Sequence, residues 1–225
     1  MCCNKNNLDV ILQLQSIKTE VVMPNYVLQS RRVAKPGLGQ KVLDAVVDQF
    51  KTRSTQGNVS ISLNAPTGSG HLVVGARVLD SIDEIEEGFD NVVNDMSILD
   101  SIDTHCTDVQ AQILKVLAPG ENMPSNPKYM ARNILKAKPG KAQELASLLL
   151  EIRDLYGDDM KPLITVPYVG NQDIVRATAI YDSLSSFEKH SDAINGDKFK
   201  SAVQKVRDLR QSYIRHTARM VYLGN

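Results

Sequence analysis

The chain shows the same order of apolar and polar positions twice. Tyr26 is followed by a Lys-Pro-Gly turn at residues 35–37, and Tyr129 is followed at the same interval by a Lys-Pro-Gly turn at residues 138–140. A second anchor, Asp-Ser followed by an aliphatic residue, occurs at residues 80–82 and 182–184. Anchors that recur in register are the signature of an internal repeat. We therefore interpret the chain as two copies of one structural unit.

Hydrophobic periodicity predicts four strands in each copy. Strict alternation of apolar and polar residues, as at residues 59–63, is typical of a strand with one buried face. The Lys-Pro-Gly turn ends the first strand of each copy, because proline and glycine favour turns. The predicted strands are residues 26–34, 59–63, 71–79 and 112–117 in the first copy, and residues 129–137, 163–168, 174–181 and 218–223 in the second.

Two helices in each copy are predicted from apolar residues that recur on one face. The first helix follows the Lys-Pro-Gly turn, and the second follows the Asp-Ser pair, which suits a helix N-cap. In the second copy, this second helical region is longer and is predicted to be interrupted, so that it forms a pair of helices. The apolar positions of the first copy are Leu38, Val42, Ala45, Val46 and Phe50, then Ile82, Ile85, Phe89, Val92, Val93 and Met96. Those of the second copy are Ala142, Leu145, Leu148, Leu149, Ile152 and Leu155, then Leu184, Phe187, Phe199, Val203, Val206, Leu209 and Tyr213.

The order strand-helix-strand-strand-helix-strand is the split β-α-β pattern, in which both helices cover one face of an antiparallel sheet. The other face must be polar or buried, so the two copies can bury their bare faces against each other. We predict an N-terminal extension at residues 1–24, a first repeat at 25–117, a linker at 118–128 and a second repeat at 129–225. Within the extension, residues 8–14 could form a short amphipathic helix over a sheet edge.

Composition excludes several classes of function. The 26 basic and 26 acidic side chains give a formal net charge of zero, so no overall field attracts a nucleic acid or a membrane surface. No segment has the length and hydrophobicity of a transmembrane helix, and the apolar residues 10–14 are too few for a signal peptide. Cys2, Cys3 and Cys106 do not form a disulfide framework, so we predict a reducing, cytoplasmic location.

The Ala-Lys-Pro-Gly-Lys segment at residues 137–141 lies between a predicted strand and an amphipathic helix, and the first copy keeps Ala-Lys-Pro-Gly at residues 34–37, with Leu38 in place of the lysine. This pattern resembles the dimeric α+β barrel superfamily, which includes antibiotic-biosynthesis monooxygenase-like and NIPSNAP-like proteins. The resemblance implies α+β, ferredoxin-like units whose antiparallel sheets pack into a barrel, usually from two chains. A tandem copy would build this barrel within one chain, so a monomer or a homodimer is expected.

A small-molecule ligand would lie between the two sheets, inside the barrel. Alternation predicts which residues of two strands face this interior. In the first copy, Leu72, Val74, Ala76 and Val78 are predicted to face the helices, and His71, Val73, Gly75 and Arg77 the interior. In the second, Val175, Ala177, Ala179 and Tyr181 are predicted to face the helices, and Ile174, Arg176, Thr178 and Ile180 the interior. The predicted ligand-binding residues are Ser60, Ser62, Gly75, Arg77, Arg176 and Thr178.

Three of these residues also have a purely structural interpretation. Gly75 could leave space for a ligand, or it could mark a bulge or a close packing contact. Arg77 and Arg176 could hold the anionic group of a ligand, or they could pair with carboxylates across the interface between the two halves. The sequence alone leaves these alternatives open.

The sequence contains no catalytic or metal-binding signature. The four histidines, His71, His105, His190 and His216, show no pair at helical spacing, and no Cys-x-x-Cys or Gly-x-Ser-x-Gly motif occurs. We therefore expect neither a metal ion nor another cofactor. The glycine-containing loop before His71 lacks the Gly-Lys-Ser/Thr ending of a phosphate loop and precedes a strand, so it is predicted to be a hairpin turn.

The resemblance implies two kinds of catalysis. Some relatives degrade haem with a histidine, an asparagine and a tryptophan, but this chain contains no tryptophan. Other relatives oxidise phenols or quinols without a cofactor, and His71 is the candidate base for such a reaction. Three hypotheses remain: a protein that binds a small molecule inside the barrel, a cofactor-independent oxygenase with His71 as base, and a structural or interaction protein whose barrel is filled by side chains.

Overall fold

The computed structural model describes residues 25–53, 56–64 and 70–224. The predicted N-terminal extension, with Cys2, Cys3 and the predicted helix at residues 8–14, lies outside the described residues. Residues 65–69 of the predicted hairpin turn also lie outside them.

The described residues form eight strands and six helices. The first half contains, in order, β1 (Tyr26–Ala34), α1 (Gly39–Thr52), β2 (Gly57–Ser62), β3 (Leu72–Leu79), α2 (Ile82–Asn94), α3 (Ser97–Asp103) and β4 (Cys106–Ala118). The second half contains β5 (Tyr129–Ala137), α4 (Ala142–Asp154), β6 (Leu163–Pro167), β7 (Ile174–Tyr181), α5 (Leu184–Ile194), α6 (Asp197–Leu209) and β8 (Arg210–Gly224). The predicted order of elements is therefore observed, with α3 as one additional short helix.

All eight strands belong to one closed barrel, in the order β1-β3-β2-β8-β5-β7-β6-β4. Each half supplies four neighbouring strands, and the two sheets join where β2 pairs with β8 and where β4 pairs with β6. Every pairing is antiparallel. A closed barrel leaves no face of either sheet bare, which is the physical requirement noted above. The predicted α+β class and the barrel within one chain are confirmed.

The last strand of each half is longer than the apolar pattern predicted. β4 begins at Cys106 and β8 at Arg210, because β1 and β5 supply hydrogen-bonding partners along almost the whole of these polar stretches. Tyr213, which was predicted to be helical, therefore lies in β8. β6 pairs with β4 only from Leu114 onward, so the preceding residues of β4 form an open edge of the barrel.

Helices α1 and α4 cover the outer faces of the sheets through the predicted apolar positions. In α1, Val42, Val46 and Phe50 are buried, and α4 buries four of its predicted positions, Leu145, Leu148, Leu149 and Ile152. The predicted N-caps are also present. The Ser81 hydroxyl accepts a hydrogen bond from the backbone N–H of Glu84 at 3.2 Å, and Ser183 forms a reciprocal capping box with Ser186. These caps begin α2 and α5 at the predicted places.

No helix within the described ranges combines the length and the hydrophobicity that crossing a membrane requires.

Candidate active site

A cavity of about 270 Å³ lies between the outer face of the second-half sheet and helices α4, α5 and α6. We call it the sheet–helix cavity. The outer faces of β5 and β7 carry small side chains here, Ala131, Ala177 and Ala179, which leave space above the sheet. Its apolar walls come from Leu149, Ile152, Phe187, Ile194, Val203 and Val206. A mostly apolar cavity with a few convergent polar groups is typical of a small-molecule site.

Tyr156 and His190 form a polar pair in this cavity. Tyr156 follows the end of α4, and His190 lies inside α5. The Tyr156 hydroxyl lies 3.2 Å from Nε2 of His190, and the two rings stack with their centroids 5.0 Å apart. Tyr181 meets the same imidazole edge-on at 5.4 Å. These contacts hold the imidazole in one orientation.

The apolar surroundings change the acid–base properties of these groups. Burial, with a smaller effect from the nearby positive charge of Arg215, lowers the pKa of His190 below its ordinary value of 6.5. The same burial raises the pKa values of Tyr156 and Tyr181. At neutral pH, His190 is therefore an uncharged imidazole that can accept a proton at the ring nitrogen that carries no hydrogen, and Tyr156 is a protonated phenol.

A second polar group lies on the sheet side of the cavity. The Oδ1 atom of Asn133 accepts hydrogen bonds from the Tyr213 hydroxyl at 2.6 Å and from Nε of Arg215 at 2.8 Å. The Arg215 guanidinium lies 5.7 Å from the centroid of the Phe187 ring. β5 and β8 are paired neighbours, so they bring these side chains together on one face. This group supplies hydrogen-bond donors and a positive charge at the cavity wall.

Tyr156, Tyr181 and His190 also line a surface groove of about 550 Å³ on their other side. Lys189 and Asp159 lie along this groove. The imidazole therefore stands between an apolar cavity and a solvated groove. A proton taken from a molecule in the cavity can leave toward water through this second side.

The lowered pKa of His190 predicts how stability depends on pH. In the unfolded chain this histidine titrates near 6.5, whereas the folded value is lower. Between the two values the unfolded chain binds more protons, so the free energy of unfolding rises with pH in this window. We expect stability to fall as the pH is lowered from about 7 to about 5, and to fall less in His190→Gln. Urea unfolding at several pH values measures this difference, and equal losses in both proteins would contradict the assignment.

Four of the six predicted ligand-binding residues face the barrel interior. Ser60 is fully buried and accepts a hydrogen bond from Arg132 at 2.9 Å. Ser62 and Arg176 line one small interior space. Thr178 lies on the same face of β7 as Arg176, directly opposite Arg132 on β5. The predicted facing of β7 agrees with the structure, because Val175, Ala177, Ala179 and Tyr181 belong to clusters on the helix side.

The predicted facing of β3 is wrong. Val73 packs in the core with Val42 and Val46 of α1, and a Cβ atom added to Gly75 would lie 2.8 Å from Cε2 of Phe50. Leu72 and Val74 instead line the interior. This strand is apolar on both faces, so alternation alone could not decide which face meets the helices.

As a result, His71, Gly75 and Arg77 lie apart from the interior residues. His71 is exposed, and its ring fills the space beside Gly39 of α1. Gly75 and Arg77 alternate with the inward-facing Val74 and Ala76 on β3, which places them on the helix side of the strand. The space left by Gly75 is filled by Phe50, which is the packing interpretation considered above. A role for His71 as a base stays a prediction.

The sequence interpretation missed most of the residues that converge in the structure. Asn133, Tyr156, His190, Tyr213 and Arg215 form the polar groups of the sheet–helix cavity. One signal was available, because alternation in the strand at residues 129–137 places Asn133 on the helix side. The pairing of Tyr156 with His190 depends on how α4 and α5 pack, and the spacing of residues in the sequence does not predict this packing.

No group of three or more His, Cys, Asp or Glu side chains in residues 25–53, 56–64 and 70–224 is placed to hold a metal ion. The resemblance raised haem as a cofactor of some relatives, and the cavity does not fit it. Its volume of about 270 Å³ is below the range of pockets for drug-sized ligands, and a porphyrin is larger still. Nε2 of His190 is also occupied by Tyr156. No step of the chemistry below involves haem.

No protein-family model matches this chain, and no curated protein matches it in sequence. Its fold is similar to an anthrone oxidase-like protein, with a TM-score of 0.66 and 13% identity over 88% of this chain and 92% of that one. A candidate monooxygenase from Fusobacterium nucleatum subsp. nucleatum has a TM-score of 0.69 and 10% identity over 90% and 95% of the two chains. A candidate monooxygenase from Lactobacillus acidophilus has a TM-score of 0.61 and 9% identity over 89% and 96%.

The chain thus has the dimeric α+β barrel fold, with both sheets supplied by one polypeptide.

Proposed function

We propose that the chain binds an aromatic, phenol-type molecule in the sheet–helix cavity and oxidises it with O₂ without a cofactor. The observation that carries this proposal is the pair of Tyr156 and His190, in which an uncharged imidazole is held at the wall of an apolar cavity. A group with a perturbed pKa in a concave, apolar site is a candidate for acid–base catalysis.

The walls of the cavity suit a flat aromatic ligand. Aliphatic side chains from α4 and α6 face small alanines of the sheet, and Phe187 and Tyr181 supply aromatic surface. A planar ring system between these walls would exclude water and place its edge at His190. The cavity volume limits the bound part to a small ring system.

The proposed reaction converts a ring CH₂ group, activated by phenolic neighbours, into a carbonyl. His190 takes the first proton, and the resulting carbanion transfers one electron to O₂. The carbon radical and superoxide combine into a peroxide anion, which takes the proton from His190 and becomes a hydroperoxide. Loss of the second C–H proton and cleavage of the O–O bond leave the carbonyl and release water. One oxygen atom is retained, the other leaves as water, and O₂ is the only oxidant.

Two further groups assist this step. Tyr156, kept protonated by its raised pKa, orients the imidazole by accepting a hydrogen bond from Nε2–H of His190, which leaves Nδ1 as the atom that takes the substrate proton. Arg215 supplies a positive charge near the cavity, which lowers the pKa of His190 and would stabilise an anionic substrate. Asn133 holds Arg215 in place through the 2.8 Å hydrogen bond. The printed names of the similar structures, anthrone oxidase-like protein and candidate monooxygenase, support the same reaction class.

The experiment measures O₂ uptake with 1,8-dihydroxyanthrone as the probe, near neutral pH. We expect uptake above the rate without protein, and a loss of about 100-fold or more in His190→Gln, the range of a removed general base. His71→Gln is the competing variant, because the sequence interpretation placed the base there. If His71→Gln were inactive and His190→Gln active, the base would be His71. No uptake with the unmodified protein would refute the reaction itself.

The proposal includes a monomer as the working unit, and closure of the barrel by strands of one chain supports it. A homodimer remains the alternative. A cytoplasmic location is kept as part of the proposal on the cysteine pattern described above.

A further inference from the structure

The barrel interior contains a group of arginine side chains, two of which are buried. Arg31 extends from β1, Arg132 from β5 and Arg176 from β7, and all three line one small space with His216 of β8. We call these four residues the interior arginine cluster. The exposed fractions of Arg132 and Arg176 are only 6% and 7%. Buried charges in proteins are ordinarily paired with opposite charges.

No carboxylate in the described part of the chain forms an ion pair with these arginines. Their hydrogen-bond partners are neutral instead. Arg132 donates to the Ser60 hydroxyl, Arg31 donates to Gln110, and Arg176 donates to Gln29 and Gln112. The interior therefore carries a concentrated positive charge without a counter-charge.

This arrangement is costly for the folded protein. Burial, with repulsion from the neighbouring guanidiniums, lowers the pKa values of Arg132 and Arg176 to about 10. Unpaired buried charge on this scale destabilises a protein unless an anion compensates it. An internal Asp or Glu, which is the ordinary remedy, is absent from these contacts among the described residues, and a bound anion would supply the compensating charge.

Two buried donors or acceptors in the cluster have no hydrogen-bond partner. They are Nε of Arg176 and Nδ1 of His216, both on the wall of the same interior space. The space itself is about 50 Å³. This volume is enough for a small polar head group, about the size of one or two water molecules. A carboxylate has two acceptor oxygens and would satisfy such donors in a planar geometry that guanidinium matches.

An open groove connects this space to solvent. It measures about 1110 Å³ and runs beside the open edge of β4 at residues 110–113 and past Val169 and Gly170. Its inner wall consists of Gln29, Arg31, Ile134, Arg176 and His216, which also line the small interior space. The groove is otherwise mostly apolar, with Phe89, Ile113, Ile174 and Ile214 among its lining residues. A polar head group at the cluster would therefore have apolar surface beside it.

We propose that the barrel interior binds an amphipathic organic anion, with its carboxylate on Arg132, Arg176 and His216 and its apolar body along the groove. This site lies inside the barrel, whereas the sheet–helix cavity lies outside it, so the inference does not depend on the proposed oxidation. The apolar groove selects against a free inorganic anion, and the charge of the cluster selects against an uncharged amphiphile.

Isothermal titration with decanoate, below its micellar concentration, tests the proposal. We expect decanoate to bind. Decanol and inorganic phosphate should bind at least about tenfold more weakly, because decanol lacks the carboxylate and phosphate lacks the apolar chain. Arg176→Met should weaken decanoate binding at least about tenfold. The matched control is Arg219→Met, which removes an arginine whose guanidinium lies over Tyr129, away from the cluster, and binding should stay within about twofold.

Several outcomes would overturn the inference. They are no binding of decanoate, equal binding of decanol, phosphate binding as tight as decanoate, or equal effects of the two arginine variants. Circular dichroism of each variant checks that it is folded. O₂ uptake with 1,8-dihydroxyanthrone should be unchanged in Arg176→Met, so failure of this site and failure of the proposed oxidation are separate results.

Discussion

Replacing Phe50 by alanine is expected to lower the free energy of unfolding by about 3 to 5 kcal/mol. Phe50 is buried at the end of α1, where its ring covers Gly75 of β3 and meets Tyr222 edge-on at 6.3 Å. Truncation would leave a cavity against the sheet that the rigid barrel cannot close. Urea or thermal unfolding followed by circular dichroism measures this loss.

A size exchange at the same contact tests the geometry directly. Gly75→Leu alone should cost about 1 to 3 kcal/mol, because its side chain would enter the space of the Phe50 ring. Combined with Phe50→Ala, the same leucine should recover part of the lost stability, so the double variant should be more stable than the sum of the single effects predicts. Additive losses would show that Gly75 does not face Phe50, and would favour the interior facing that the sequence suggested.

Replacing Arg132 by methionine is expected to raise the free energy of unfolding by about 2 kcal/mol. The pKa of Arg132, lowered from 12.5 to about 10, corresponds to about 3 kcal/mol of unfavourable interaction with the charged guanidinium. Part of this gain is offset by the lost hydrogen bond to Ser60. Methionine keeps much of the apolar stem, and it removes the charge that repels Arg31 and Arg176. Chemical unfolding without added ligand measures the gain.

The matched control for this prediction is Arg219→Met on β8. Arg219 donates a hydrogen bond to the Lys128 carbonyl at 3.1 Å, and its pairing with Tyr129 in register places it away from the interior. This variant should be neutral or slightly destabilising. A loss of stability in Arg132→Met would contradict the view that the interior charge is uncompensated, and it would indicate that Arg132 is satisfied within the folded chain.

The elements of the fold could be predicted because local rules and the global fold agree. The Lys-Pro-Gly turns, the serine caps of α2 and α5, and the apolar faces of α1 and α4 each follow from short-range physics. The bounds of β4 and β8 could not be predicted, because their first residues are polar and form strands only through pairing with β1 and β5. The apolar face predicted for α2 is a second limit, because Phe89 and Val93 are exposed.

The candidate sites were only partly predictable. Arg176, Ser60 and Ser62 were placed in one interior by alternation, and the structure brings them together there. Arg132 and His216 join them only because closure of the barrel makes β5 the neighbour of both β7 and β8. The facing of β3 was ambiguous for the opposite reason, since residues on both of its faces are apolar. Sites formed by the packing of distant elements therefore cannot be predicted from a single sequence.

A barrel made of two identical chains must carry the same residues on both of its sheets, so any cavity on one sheet appears on the other. Here one polypeptide supplies both sheets, and their outer faces differ. Phe50 fills the space above the first sheet, whereas small alanines leave it open above the second. Because no symmetry relates the two halves, the residues of one half can fill the space above their sheet while those of the other half leave a cavity. Substitutions around the second sheet can therefore change the shape and polarity of its cavity without a matching change in the first half.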